Sequence, residues 1–160
     1  MKENYDIIIV GARCSGATLA IELGKEKYEV LLLDQSNFPS DTNSTHAFFN
    51  NTVYMLRELG VMPLLEKTTA PPIRRVLFQF NDIAVEGDMP IVHNEEYSYC
   101  IPRTYFDQVM YDCANSFESV TSLEGFRVSR LLRSNRRVIG VEGVTQTGES
   151  KRFTAKLVVG

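Results

Sequence analysis

The stretch "DIIIVGARCSGATLA", residues 6–20, constrains the fold more than any other part of this 160-residue chain. Ile7 to Val10 is an uninterrupted β-branched run, as in a strand buried on both faces of a parallel sheet. Gly11 stops it, and Gly16, Ala20 and Gly24 then recur every four residues. That spacing sets three small residues on one row of a helix, so the helix is expected to lie close on its sheet. "EVLLLD", residues 29–34, is the next buried strand and ends in an acid. Strand, tight turn, helix and strand within about thirty residues make a βαβ unit.

A turn of this kind holds a dinucleotide when its first glycine makes the bend and its second lets backbone approach a pyrophosphate. The third admits close helix packing, and an acid about 20 residues on holds a ribose hydroxyl. Gly11, Gly16 and Asp34 meet three of these conditions, but Arg13 stands where the second glycine belongs. If its side chain points away, the amides at the helix N-terminus stay open to an anion, which they favour by about 0.3–1 kcal/mol. If it points inward, the guanidinium pairs with phosphate oxygens directly. Either way the loop reads as a nucleotide site, because it follows a strand, opens a helix and is joined by Asp34 at the end of the following strand.

Further along, "FPSDTNSTHAFFNN" (38–51) has no periodicity and reads as a loop entering a helix near Asn51. Leu56, Leu59 and Leu64 fall on one face there, with a break at Gly60 and a restart at Pro63. "RRVLFQF" (74–80) and "YSYCI" (97–101) read as strands, and the stretch between them has no clear pattern. Pro102 suits the first position of a helix carrying Phe106, Val109, Met110 and Cys113 inward. After Gly125 the pattern alternates through "RVSRLL", "RVIGVEGVTQ" and "KRFTAKLVVG", a β-meander leading back to a buried strand, "LVV".

A formal net charge of −3 without basic clusters gives no footprint for nucleic acid. Three scattered cysteines, Cys14, Cys100 and Cys113, lack metal or redox spacing, so no metal site is expected. The opening apolar stretch is too short for a signal peptide or a membrane span, which makes a cytoplasmic protein the expectation. Ser44, Thr45 and His46 are the nearest approach to a reactive cluster, but nothing completes a triad, and no catalytic residue is identified. His46 reads as a hydrogen-bonded structural residue, and Cys14 as a small packing residue.

With "GARCSG" (11–16), "LLLDQSNFPSDTNSTH" (31–46) and "IPRTYFD" (101–107) in view, the chain resembles the FAD-dependent oxidoreductases of the aromatic-hydroxylase type. These are the group A flavin monooxygenases, and the geranylgeranyl reductases are their relatives. Members of that superfamily often carry "GAR-x-x-G", so the resemblance makes Arg13 a family variant. It implies an α/β fold, a Rossmann-like FAD-binding βαβ domain with the β-meander and part of an inserted substrate-domain sheet at about 72–101. It further implies that Gly11, Ala12, Arg13, Cys14, Ser15 and Gly16 lie along the pyrophosphate of FAD, and that Asp34, with Gln35 beside it, binds the adenosine ribose. Thr45 lies in the loop directed toward the flavin, Arg103 reaches the ribityl or phosphate region, and the backbone of Val128 lies beside the adenine.

The expected activity is that of a flavin-dependent monooxygenase using NAD(P)H and oxygen on a small-molecule substrate. An alkene reductase of the geranylgeranyl-reductase kind is the alternative within the superfamily. An NAD-dependent dehydrogenase also fits Asp34, but it would continue with alternating strands and helices where this chain has a meander. The superfamily continues past a strand like "KLVVG" into further segments, so residues 1–160 are expected to be the N-terminal part of a longer enzyme. A fragment that binds no cofactor is therefore a third reading, and self-association through exposed sheet edges is expected of such a chain.

Overall fold

The computed structural model describes residues 2–160. In chain order the elements are β1 (Asn4–Val10), α1 (Cys14–Lys25), β2 (Val30–Leu33), β3 (Ala47–Phe48), α2 (Asn50–Leu59) and α3 (Met62–Leu65). There follow β4 (Arg75–Phe80), β5 (Ile83–Asp88), β6 (Tyr99–Cys100), α4 (Arg103–Asn115), β7 (Val120–Leu123), β8 (Phe126–Ser134), β9 (Arg137–Thr145) and β10 (Ser150–Val159). They fall into two compact units, one of residues up to Ser40 together with Asp107–Gly160, the other Asp41–Phe106.

The first unit is built on a six-stranded sheet in the order β7-β2-β1-β10-β9-β8. β1 runs parallel to β2 (Ile8 opposite Leu31) and to β10 (Ile7 opposite Leu157), and β2 runs parallel to β7. β8, β9 and β10 are the antiparallel meander. All four residues of β2 are fully buried, which is why this strand is a pure apolar run: both of its faces are covered. On one face, Ile8, Leu31 and Leu33 pack with Tyr5, Phe126, Val141 and Phe153. Phe153 meets Phe126 edge-on at 5.5 Å between ring centres.

On the other face α1 buries Ala17, Ala20, Ile21 and Gly24. Its small-residue row does let the helix lie close on the sheet, for a Cβ at Gly24 would sit 3.1 Å from Val120 of β7 and one at Gly16 3.2 Å from Ile9 of β1. β7 was not anticipated from the sequence, because Thr121 and Ser122 interrupt its apolar pattern. The expectation that "LVV" is buried fails: Leu157 is 53% exposed, and Val158 and Val159 are only half-buried. β9 pairs with β10 only from Ser150 to Thr154, so the far half of β10 is held on the β1 side alone.

In the second unit β3 pairs antiparallel with β6 and β4 pairs with β5 in a hairpin. α2 ends at Gly60, which takes the left-handed conformation of a C-cap (φ 86°). That turn carries Val61, Met62 and Leu65 inward and leaves Leu64 38% exposed, so Leu65 takes the core position expected of Leu64. β5 lay in the stretch without a clear pattern, and its apolar residues Ile83 and Val85 face solvent together with Phe78 and Phe80 of β4. α4 starts at Arg103, one residue later than expected, with the Pro102 carbonyl accepting from the Tyr105 and Phe106 amides.

Candidate functional site

β1 lies between β2, which leads on to β7, and β10 on its other side. Strand order therefore reverses at β1, and the crevice outside the carboxyl ends of strands at such a reversal is where open α/β sheets bind ligands. Gly11 occupies that end. Its φ of +107° belongs to glycine, and a Cβ there would point into open space. Its amide donates to the Leu33 carbonyl (2.7 Å), tying the turn to the end of β2.

Arg13 is the N-cap residue of α1, and its own side chain makes no capping hydrogen bond to the helix start. No acid occupies its first turn, so no carboxylate within the turn offsets the dipole of this 12-residue helix. Gly16 is required by contact: a Cβ on it would lie 1.7 Å from the Gly11 carbonyl oxygen and 3.2 Å from Ile9. The first and third glycines therefore act as one device, a turn folded back onto its own helix. Ala12 is fully buried, Gly11, Cys14 and Gly16 are half-buried, and Ser15 is exposed.

Asp34 closes the site from the end of β2. Its Oδ2 accepts from the Ala12 amide (2.7 Å) and its Oδ1 from the Ser36 amide (2.8 Å). It is buried, yet each carboxylate oxygen has a second lone pair, so the group retains acceptor capacity for a sugar hydroxyl. Gln35 beside it is exposed. Val128 is half-buried on β8, at the margin of the aromatic core cluster.

Arg13 does not extend into solvent. Its guanidinium makes an ion pair with Asp107 (2.6 Å) and donates to the Ser40 hydroxyl (2.8 Å). Neither partner was singled out from the sequence. The available signal was the acid four residues beyond Arg103 in "IPRTYFD", which only a tertiary contact turns into a partner.

The structure brings Gly11 to Gly16, Asp34 and Gln35 together in the first unit, while Thr45 and Arg103 belong to the second. There Thr45 is exposed and Arg103 is buried. The Arg103 amide donates to His46 Nδ1 (3.2 Å), and the His46 carbonyl accepts from Ile101 (3.0 Å), so His46 braces the start of α4. Burial pushes the Cys113 thiol up from its ordinary value, which disfavours a reactive thiolate. Among the described residues no three His, Cys, Asp or Glu side chains gather as a metal site, and no helix is long and apolar enough to cross a membrane.

These residues fit a dinucleotide: a helix start with no acid in its first turn and a glycine turn for the diphosphate, with a buried carboxylate alongside for the ribose. Similar folds occur in a myxobacterial chondrochloren halogenase, described as a variant of FAD-dependent halogenases (20% identity, TM-score 0.89, covering 98% of this chain and 37% of that one). A flavoprotein/dehydrogenase from Cytophaga hutchinsonii is similar too (15% identity, TM-score 0.87, 98% and 38%). So is the p-nitrophenol 4-monooxygenase of Pseudomonas putida (18% identity, TM-score 0.83, 98% and 40%). The chain thus spans about two fifths of the length of these structures, and at such identities they show the fold: a Rossmann-like FAD-binding architecture. No curated protein matches the chain. The family described as FAD binding domain matches residues 4–160, nearly the whole sequence, and this chain belongs to it.

Proposed function

We propose that this chain is the FAD-binding part of a flavin-dependent monooxygenase that uses NAD(P)H and oxygen on a small organic molecule. The observation that carries the reading is the turn after β1. Gly16 packs against Gly11, the Ala12 amide is held by Asp34, and α1, with no acid in its first turn, begins at the reversal of the sheet. The amides of the first turn hold the diphosphate, Asp34 accepts from the adenosine ribose, and Gln35 lies beside it. Arg103 and Thr45 serve the flavin end, and the backbone of Val128 serves the adenine.

When bound, the flavin supplies the redox chemistry, taking electrons from a nicotinamide and passing them to oxygen. The protein's part is to bind, orient and shield it. The similar chains include a FAD-dependent halogenase and a nitrophenol monooxygenase, which supports flavin chemistry on small organic molecules more broadly than it supports hydroxylation itself.

FAD and NAD share the adenosine diphosphate that this turn would hold, so binding of the two is the test. Incubated with the purified protein and passed through a desalting column, FAD is expected to co-elute with it. A tenfold excess of NAD, about 1.4 kcal/mol of advantage by mass action, is expected not to displace it. Displacement by NAD, or retention of NAD alone, would move the chain to the dehydrogenases.

A further inference from the structure

The fingerprint's second glycine exists to keep side-chain atoms out of the space between backbone and pyrophosphate. Arg13 has seven side-chain heavy atoms in that place, and the structure shows where they go. Nη1 donates to Asp107 Oδ2 at 2.6 Å and to the Ser40 carbonyl at 3.4 Å. Nη2 donates to Ser40 Oγ at 2.8 Å. The guanidinium carbon lies 5.6 Å from the centre of the Phe38 ring, and Phe38 stacks in turn on Tyr111 at 4.7 Å. Asp107 is fully buried, whereas the Arg13 side chain keeps 25% of its exposure.

A carboxylate is buried at such a position only when it is paired, and this pair is two-sided: a charge on Asp107 and a hydroxyl on Ser40 engage both ends of one planar fork. The backbone of the same arginine is the N-cap of α1, whose carbonyl accepts from Ala17 (2.9 Å). The direction of the side chain is thereby coupled to the first turn of the helix. Ala12, immediately before it, is held by Asp34. Two carboxylates far apart in the sequence thus grip adjacent residues of one turn, Asp34 through a backbone amide and Asp107 through a guanidinium.

We propose that Arg13, Ser40 and Asp107 form a latch that replaces the second glycine: it draws the arginine side chain off the turn and pre-organises the first-turn amides for a diphosphate. Arg13 and Asp107 are then positioning residues. This rests on the reading of the turn as the diphosphate site. The rival role for Arg13, direct pairing with the phosphates, predicts the opposite sign for one substitution. Removing the carboxylate charge from the guanidinium with Asp107→Asn would then leave FAD affinity unchanged or raise it, whereas loss of the latch lowers it.

The test measures FAD affinity by flavin fluorescence and, separately, amide hydrogen exchange of Ala12 to Gly16 without ligand. Arg13→Gln and Asp107→Asn are each expected to weaken FAD binding by about tenfold or more, and the double variant to weaken it by less than the product of the two, because both break the Arg13–Asp107 pair. Ser40→Ala, which removes a single hydroxyl, is expected to cost about threefold to tenfold. In all three the ligand-free turn exchanges faster, while Val141 in the meander is unchanged. If Asp107→Asn does not fold, Ser40→Ala decides through the same two readouts. Unchanged affinity with unchanged exchange overturns the latch, as does tighter FAD binding by Asp107→Asn. If the unmodified protein binds no FAD, the diphosphate reading falls by itself, and the exchange rates still judge the latch.

Discussion

Gly16→Val is expected to abolish flavin retention. A Cβ at this position meets the carbonyl oxygen of Gly11 at 1.7 Å, far inside contact distance, and the obstacle is backbone, which no rotamer change can move aside. Overpacking among side chains commonly costs about 1–3 kcal/mol. Here the turn itself must open, which carries the first-turn amides away from the place where Gly11 and Asp34 define the site. The flavin-to-protein absorbance ratio after purification should fall to background, with a lower Tm for the ligand-free protein. A Gly16→Val protein that keeps its full flavin content would show that the assigned turn does not hold the cofactor.

Asp34→Ala acts on the same turn from the other side. Two buried or half-buried backbone amides, those of Ala12 and Ser36, lose a charged acceptor, and the ribose loses its partner. Hydrogen bonds to a charged group contribute roughly 1.5–3 kcal/mol, so FAD affinity is expected to fall roughly 10- to 100-fold. Asp34→Asn should lie between, since it keeps one acceptor oxygen and turns an NH2 toward a neighbouring donor. Titration of the three proteins with FAD checks the order. Equal affinities would put the ribose elsewhere.

The strand–turn–helix–strand unit was legible because its signals are local. β2 and the Ile7–Ile9 part of β1 are buried on both faces and read as apolar runs, and the two glycines mark a contact made within six residues of chain. The meander was legible for the same reason, since its turns and its alternation lie side by side in sequence. β7 was not, because it is an outer strand of the sheet in which two polar residues hide the pattern. β5 was missed because its apolar side faces solvent, so nothing in the composition around it marks a core. The exchange of Leu64 for Leu65 turned on the left-handed cap at Gly60, which rotates the next helix by about one position.

Within the site, Gly11, Gly16 and Asp34 were readable from spacing, but the fate of the Arg13 side chain was not. Its direction is set by Asp107, 94 residues away, and by Ser40 in an aperiodic loop. A residue whose role depends on a partner that far off carries no local signature, so the sequence left both directions open. Resemblance supplied the positions of Arg103 and Val128 without any geometry of its own.

Amide chemical shifts during titration with FAD test the account where it is most exposed. The largest changes are expected at Gly11 to Ala17, where the diphosphate would meet the start of α1, and at Ser36, which shares the Asp34 carboxylate. Saturable FAD binding that leaves those amides unmoved while others shift would contradict the assignment of this turn as the diphosphate site.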